Sequence, residues 1–156
     1  MITKETIEVE NEKVFGEKLE GIVYKERAGA YGVVFNEEGC IAVINTPRGY
    51  FLPGGGIEAE ENQKECIIRE FKEETGYDIE VKQFIGKAST YRFAEGLKDY
   101  YHLIGLHYIV DLKEQIAIQI EEDHELLWME AKECSESLYL EHQAWAVREV
   151  LREKCK

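Results

Sequence analysis

Three glutamates near the middle of the chain, Glu70, Glu73 and Glu74, have the spacing of residues that share one side of a helix. At about 100° per residue, positions i, i+3 and i+4 fall within roughly 100° of arc. A helix through this segment would therefore hold three carboxylates close together. Carboxylate oxygens grouped in this way are the ligands that hard divalent cations prefer.

This clustering is unfavourable for the helix itself. Glu70 repels Glu73 and Glu74 at a cost of about 0.2 to 0.5 kcal/mol per pair. Glu73 and Glu74 also lie in the last turn, where the negative end of the helix dipole costs a further ~0.3 to 1 kcal/mol each. A divalent cation would reverse the sign of both effects, and this oxygen-rich set suits Mg²⁺ or Mn²⁺. The alternative is an ordinary solvated acidic face.

The segment that carries the glutamates, residues 62–75, has the pattern of a single helix. Asn62 followed by Glu65 three residues later resembles a capping box, and Gly76 stands where a glycine commonly ends a helix. Helical periodicity predicts that three apolar side chains face a sheet: Ile67, Ile68 and Phe71.

Strands are predicted on both sides of this helix, where β-branched and aromatic residues alternate with turn residues. The runs are 30–35, 40–46, 50–52, 79–91, 100–110 and 125–130. The two longest are expected to pair antiparallel around 92–99, and a terminal helix is expected over 141–153. This order predicts an α+β fold, a mixed β-sheet sandwiched between helices (α/β/α), as one domain over residues 1–156.

A triglycine loop, Gly54, Gly55 and Gly56, precedes the acidic helix. Glycines permit positive φ and close approach of the backbone to other groups. We therefore expect a backbone carbonyl of this loop to turn inward as a further oxygen ligand.

The loop and the helix together resemble the Nudix box, the sequence motif of the Nudix hydrolases. The matching pattern is Gly55-x5-Glu61-x7-Arg69-Glu70-Phe71-x-Glu73-Glu74-x-Gly76-Tyr77. For a chain of this composition, on the order of 10⁻⁵ such matches are expected by chance. Two further segments are similar to the family, Leu52-Pro53-Gly54-Gly55 and Glu125-Leu126-Leu127-Trp128, so the resemblance covers roughly residues 30–151.

The resemblance implies the Nudix fold and metal-dependent cleavage of a nucleoside diphosphate linked to another moiety, by attack of water on phosphorus. It assigns Glu70, Glu73 and Glu74 as metal ligands, and Glu70 or Glu74 as the general base. Gly54 is the expected carbonyl ligand. Arg69 would orient an adjacent carboxylate, and Glu61 would support it from the start of the helix. The alternatives are an ordinary helix ion pair for Arg69, which is compatible with the orienting role, and a first-turn dipole contact for Glu61.

A fourth acidic ligand from outside the helix is common in the family. The acidic stretch 121–125 offers Glu122 and Glu125, each of which is otherwise part of a solvated loop. Arg48, Arg92 and Lys98 are candidates for contacts with phosphates, and the aromatic residues near them for stacking on a base. Core packing or surface exposure is the alternative for each.

Two positions depart from the family pattern. Tyr77 replaces an aliphatic residue and keeps an apolar ring. Glu60 stands where glycine is common, which leaves the conformation of the turn before Glu61 open.

Charge and composition exclude several partners. The 156 residues include 19 Lys plus Arg and 32 Asp plus Glu, a formal net charge of −13. A basic surface for nucleic acid polymers or anionic membranes is therefore not expected. The chain begins without an apolar stretch of signal-peptide length and contains no run near ~18 apolar residues. We expect a cytoplasmic protein, with a homodimer as the one assembly left open.

The substrate follows only by elimination among the subclasses that the family contains. No proline follows Pro53, as NADH-type and ADP-ribose-type members would require, and positions 93–95 lack the tyrosine of diadenosine-polyphosphate types. The predicted substrate is therefore a small nucleotide or polyphosphate, and (deoxy)nucleoside triphosphates, including oxidised ones, are the leading candidates. The alternatives are a diadenosine polyphosphate, a nucleotide sugar, or a nucleotide-binding Nudix module without catalysis.

Overall fold

The computed structural model describes residues 12–117 and 123–154. Its elements, in chain order, are β1 (Glu12–Phe15), β2 (Lys25–Val33), β3 (Ile41–Thr46), β4 (Gly49–Phe51), β5 (Gly54–Gly56), α1 (Gln63–Thr75), β6 (Tyr77–Ala94), β7 (Asp99–Gln115), β8 (Glu125–Met129), α2 (Ala131–Ser137) and α3 (Glu141–Lys154).

The strands divide between two sheets. The larger has the order β1-β6-β7-β2-β5 and the smaller the order β4-β3-β8. The larger sheet is mixed, because β1 pairs parallel with β6 and β2 pairs parallel with β7, whereas the β6–β7 and β2–β5 pairs are antiparallel. The smaller sheet is antiparallel throughout.

Helices cover both faces of the larger sheet. On one face, Ile67 and Phe71 of α1 pack with Ala30, Tyr108 and Val110 of the sheet. On the other face, the apolar side of α3 packs in a second cluster that also contains sheet residues of the opposite pleat, among them Val33, Ala88 and Ile109. The predicted α+β class and the α/β/α arrangement are confirmed.

The boundaries of α1 follow from its sequence. The Asn62 side chain accepts from the amide of Glu65, and the Glu65 side chain accepts from the amide of Asn62, so the capping box is present. Gly76 ends the helix with φ 79°, and its N–H bonds to the Lys72 carbonyl. The predicted helix is thus confirmed at both ends.

The predicted apolar face of α1 was wrong for one residue, Ile68. Ile68 is 41% exposed, whereas Cys66, Ile67 and Phe71 are fully buried. The buried stripe of α1 is rotated toward Cys66 and Glu74, which places Glu74 near its centre, between the directions of Cys66 and Ile67.

Other differences concern elements with weak local patterns. The triglycine segment, predicted as a loop, is the short strand β5 paired with β2. The helix α2 and the strand β1 were not predicted, and the predicted single sheet is divided in two. The long hairpin was predicted with shorter strands; its irregular register includes three shifts along β6 and β7. Within the described residues, no helix has the length and apolarity to cross a membrane.

Candidate active site

Arg69 is the centre of the acidic group on α1. Its Nε donates to Glu61 Oε2 at 2.6 Å and its Nη2 to Glu61 Oε1 at 3.0 Å, a bidentate pair. Its Nη1 donates to Glu70 Oε2 at 3.0 Å and to Glu73 Oε1 at 3.2 Å. One guanidinium therefore holds three of the carboxylates that the sequence singled out.

Hydrogen bonding in this group favours the charged forms. The bonds from Arg69, followed by one from the Glu58 backbone, lower the pKa of Glu61 to about 2. The hydrogen bond with Glu61 is likewise the largest cause of a raised pKa for Arg69. Both side chains are largely shielded from solvent, since 13% of Glu61 and 24% of Arg69 is exposed. This pair is a fixed part of the structure around neutral pH.

Glu74 lies apart from the Arg69 group, on the buried side of α1. It is 8% exposed. Its Oε1 accepts from the Gly54 amide at 3.1 Å, and its Oε2 lies 3.1 Å from His124 Nδ1. The carboxylate is thus oriented from two sides, by the Gly54 amide of β5 and by His124, the residue directly before β8.

His124 was not predicted as a site residue. It stands 50 residues from Glu74 in the chain, so no local spacing could reveal the contact. The sequence offered only a histidine beside a glutamate, without the second histidine of a zinc-protease motif.

Two of the three glycines of β5 allow close packing, Gly54 against β2 and Gly55 against α1. A Cβ on Gly54, which has φ 142°, would lie 2.7 Å from Tyr31 Cα, and a Cβ on Gly55 would lie 2.5 Å from both carboxylate oxygens of Glu70. Arg69 Nη2 donates to the Gly56 carbonyl at 3.0 Å. Only glycine at position 55 leaves room for the Glu70 carboxylate where it stands.

Cys66 completes the contact between β5 and α1. Its Sγ lies 3.4 Å from the Gly55 carbonyl and 3.5 Å from that of Gly56. Burial, and then the charge of Glu61, raise the pKa of this thiol to about 12. The thiol therefore remains protonated and serves as a donor to the glycine backbone.

The structure shows the conformation of Glu60, which departs from the family pattern in the turn before Glu61. Its φ is 67°, a left-handed conformation that costs a non-glycine residue about 1 kcal/mol or more. The turn before Glu61 therefore has the conformation that glycine adopts without strain, which explains why a glycine suits this position.

Two acidic residues outside the helix, Glu122 and Glu125, were proposed as further metal ligands. Glu122 lies outside the described residues. Glu125 begins β8, pairs in register with Asn45 of β3 and has an exposed side chain. Among the described residues, no hydrogen bond or ion pair joins Glu125 to the glutamates of α1.

The donor set fits a hard divalent cation in its chemistry. The carboxylates of Glu70, Glu73 and Glu74 lie on one helix. The Glu70 carboxylate fills the space beside β5 that a side chain at Gly55 would otherwise occupy. The described part of the chain does not bring three His, Cys, Asp or Glu side chains into a ready metal cluster. The bonds of Arg69 to Glu70 and Glu73, and those of Gly54 and His124 to Glu74, account for this spacing of the carboxylates.

A cavity of about 420 Å³ opens at Glu74. Its other walls come from the β3–β4 turn, from β4 and from the segment before β8: Thr46, Pro47, Arg48, Phe51, Asp123 and His124. A carboxylate and an arginine therefore line the same space, which suits an anionic ligand bound together with a cation.

Comparison with known proteins agrees with this geometry. A family model described as the NUDIX domain matches residues 25–153. In the comparison with curated protein sequences, none matches.

Several solved structures share the fold. The MutT protein from Methanosarcina mazei Go1 has a TM-score of 0.66 at 21% identity, with 89% of this chain and 100% of that chain covered. The mutator MutT protein from Bacillus halodurans has a TM-score of 0.63 at 26% identity, covering 80% and 82%. An ADP-ribose pyrophosphatase from Streptococcus suis 89-1591 has a TM-score of 0.58 at 18% identity, covering 81% and 92%. Since the family model spans most of the chain, this protein belongs to the Nudix family and is a Nudix hydrolase.

Proposed function

We propose that this Nudix hydrolase splits the pyrophosphate linkage of a nucleoside diphosphate joined to another moiety, with Mg²⁺ or Mn²⁺ as cofactor. The observation that carries the proposal is the position of Glu74, buried on α1 yet open to the cavity that Arg48 also lines. Substrate phosphates in this cavity would lie between the cationic side chain of Arg48 and the Glu74 carboxylate of α1.

The metal ligands in this proposal are Glu70, Glu73 and Glu74, with the Gly54 carbonyl and an acidic residue of 121–125, Glu122 or Glu125, as the expected additions. A bound divalent cation would supply charge neutralisation between these carboxylates and the phosphates of the substrate. Nudix hydrolases generally use a divalent metal, and the oxygen-rich set on α1 agrees with this.

The chain's own residues supply orientation and proton transfer. Arg69 holds Glu70 and Glu73 in place, and Glu61 in turn fixes the Arg69 guanidinium through its bidentate pair. Water attack on phosphorus releases a proton, and Glu70 or Glu74 accepts it. Glu74 is held by the Gly54 amide and by His124, so its orientation does not depend on Arg69.

For the substrate, a (deoxy)nucleoside triphosphate, including an oxidised one, remains the leading proposal. Two neighbours of similar fold are named MutT proteins and a third is named an ADP-ribose pyrophosphatase, and a shared fold does not by itself select the substrate. Diadenosine polyphosphates and nucleotide sugars are the alternatives for this chain. A hydrolysis screen over these three classes with Mg²⁺ and Mn²⁺ identifies the one that is turned over.

The decisive variant is Glu74→Gln, which keeps the size of the side chain and removes its charge. We expect turnover in Mg²⁺ to fall by about a hundredfold or more, with little change in the unfolding temperature. The matched control is Glu80→Gln, because Glu80 is an exposed glutamate of β6 whose ion-pair partner is Lys82. Equal turnover in Glu74→Gln and Glu80→Gln would contradict the proposed role, and binding without hydrolysis by the wild type would favour the non-catalytic alternative.

A further inference from the structure

A larger cavity, of about 600 Å³, adjoins the cavity at Glu74. Arg48 lines both. Two more arginines, Arg27 and Arg92, line the larger cavity, which we call the arginine cavity. Its remaining walls are mostly apolar or aromatic: Ala94, Gly96, Leu97, Tyr101, Leu103, Tyr139 and Leu140, with Glu95 as the one carboxylate.

The larger sheet places two of these arginines side by side. Arg27 of β2 pairs in register with Leu103 of β7, and Arg92 of β6 pairs with Tyr101 of β7. Tyr101 and Leu103 are two residues apart and therefore lie on the same face. Since paired residues share a face, Arg27 and Arg92 lie on this face too.

Arg48 approaches from the β3–β4 turn and meets Arg92 across one aromatic ring. The guanidinium carbons of Arg48 and Arg92 lie 5.6 Å and 5.3 Å from the centre of the Tyr139 ring, and Arg92 Nη2 donates to Tyr139 Oη at 3.3 Å. Arg27 lies 5.3 Å from the centre of the Tyr101 ring. Because guanidinium groups already contact these rings, a nucleobase would have to displace them in order to stack there.

The charge of the arginine cavity contrasts with that of the protein. Among the described residues, no carboxylate lies within 4 Å of Arg27, Arg48 or Arg92, whereas Arg69 and Arg152 both have carboxylate partners. Three like charges near one another raise the energy of the empty cavity. Guanidinium groups bind phosphate through paired, charge-assisted hydrogen bonds, so a phosphate would remove this repulsion.

We propose that the arginine cavity binds a phosphate group of the substrate other than the pyrophosphate that is split. This inference rests on the proposed function, which places the bond that is split at α1. The binding of a phosphate by the arginines is independent of that function. A volume of 600 Å³ with leucine and tyrosine walls is typical of sites that enclose an organic ligand, roughly 300 to 1,000 Å³. The ligand is therefore a phosphorylated organic group rather than free phosphate. Two sources share this chemistry: the third phosphate of a nucleoside triphosphate and a phosphomonoester on a sugar.

The test compares probes that differ by one phosphate, by calorimetric titration in EDTA. EDTA removes the divalent cation that the proposed function requires, so the probes should not be hydrolysed during the titration. One pair is ATP and ADP, and the other is NADP⁺ and NAD⁺. We expect the wild type to bind the member with the additional phosphate about tenfold more tightly in at least one pair.

Three variants assign this preference to the arginines. Arg27→Gln and Arg92→Gln should each bring the ratio of affinities close to one, and Arg92→Lys should retain part of it because the charge remains. The matched control is Arg148→Gln, since Arg148 lies on α3 and donates to the Ser135 carbonyl at 3.4 Å. Unfolding temperatures of all variants show that the fold is intact.

The outcomes separate the possibilities. Preference within the ATP and ADP pair identifies a terminal phosphate as the ligand, and preference within the NADP⁺ and NAD⁺ pair identifies a phosphomonoester; either supports the proposal. No preference in either pair overturns it. It is also overturned if the arginine variants weaken all four probes equally, because the arginines then contact the shared pyrophosphate. Persistent preference in an enzyme that hydrolyses nothing in Mg²⁺ would reject the proposed function alone.

Discussion

Among single residues, Gly55 is the one whose lack of a side chain bears most directly on the acidic group of α1, because a Cβ there would lie 2.5 Å from both oxygens of the Glu70 carboxylate. Carboxylate and glycine occupy the same small space between α1 and β5. The position of Glu70, and with it one of the proposed metal ligands, therefore depends on the absence of a side chain at residue 55.

We expect Gly55→Ala to lower turnover by about a hundredfold, because the Glu70 carboxylate must move away from β5 and misplaced catalytic groups reduce rates on this scale. The neighbouring Gly56→Ala is the control, since the nearest atom to a Cβ there, the Ala28 carbonyl oxygen, lies 4.0 Å away. Steady-state kinetics of both variants in Mg²⁺ measure the effect. Similar rates for the two would show that Glu70 does not need its observed position.

Arg69 gives a second prediction at this scale. Lysine keeps the charge but loses the planar fork that binds Glu61 through two bonds while reaching Glu70 and Glu73. We expect Arg69→Lys to lower activity, or the apparent affinity for Mg²⁺, by about 10- to 100-fold, as removal of groups that orient metal ligands does. Mg²⁺ titration of activity provides the measurement.

Arg152→Lys is the control for this change. Arg152, an exposed residue of α3, pairs with the half-buried Glu149, and a lysine can replace it there. If Arg69→Lys were as active as Arg152→Lys, the carboxylates of α1 would not need Arg69 to orient them.

Among the elements, α1 carries the site, and its start is fixed by the capping box of Asn62 and Glu65. Glu61, directly before the N-cap, accepts from the Glu58 amide at 2.9 Å while holding Arg69. The residues at the start of α1 and just before it therefore position both the helix and the guanidinium that organises its carboxylates.

The cap predicts a measurable loss of stability. Asn62→Ala removes the acceptor of the Glu65 amide and should lower the free energy of unfolding by about 1 kcal/mol. Lys64→Ala, at an exposed position in the same turn, should change it by less than about 0.5 kcal/mol. Urea unfolding of both variants compares them; equal stability would show that the cap contributes nothing.

For the whole molecule, a buried histidine pair links α3 to the larger sheet. His142 Nδ1 of α3 lies 3.2 Å from His107 Nε2 of β7, and both side chains are fully buried. Burial is the main cause of a pKa of about 4 for His142, and burial followed by the charge of His142 holds the pKa of His107 well below its usual 6.5. The folded protein therefore binds these protons less readily than the unfolded chain does.

This shift predicts acid sensitivity. The buried, neutral histidine pair contributes its full stability above pH 6.5, the ordinary histidine pKa. This contribution is lost as the pH falls from 6.5 toward about 4, the pKa of His142 in the folded protein. His142→Gln should flatten the decline in unfolding free energy between pH 6.5 and 5, where carboxylates contribute less. Val147→Ala, a buried residue of α3 without a titrating group, should lower stability by a similar amount at every pH. The same slope in His142→Gln and wild type would contradict the assignment.

The sequence alone determined the parts of this protein that depend on neighbours in the chain. The capping box, Gly76, and the spacing of Arg69 with the glutamates act within one helix, whose geometry is regular enough to be predicted from residue order. The long hairpin, β8 and α3 were predicted for the same reason, from periodicity, and the motif gave the family. The metal ligands and the single domain remain predictions.

The tertiary structure decided which of these groups meet residues that are distant in the chain. Short elements such as β1, β5 and α2 have too few residues to show a period, and their pairing depends on the rest of the sheet. The contact of Glu74 with His124 and the convergence of Arg27, Arg48 and Arg92 depend on strand register, which packing and bulges set across the whole sheet. The sequence of one strand does not specify which residues of a neighbouring strand will pair with it.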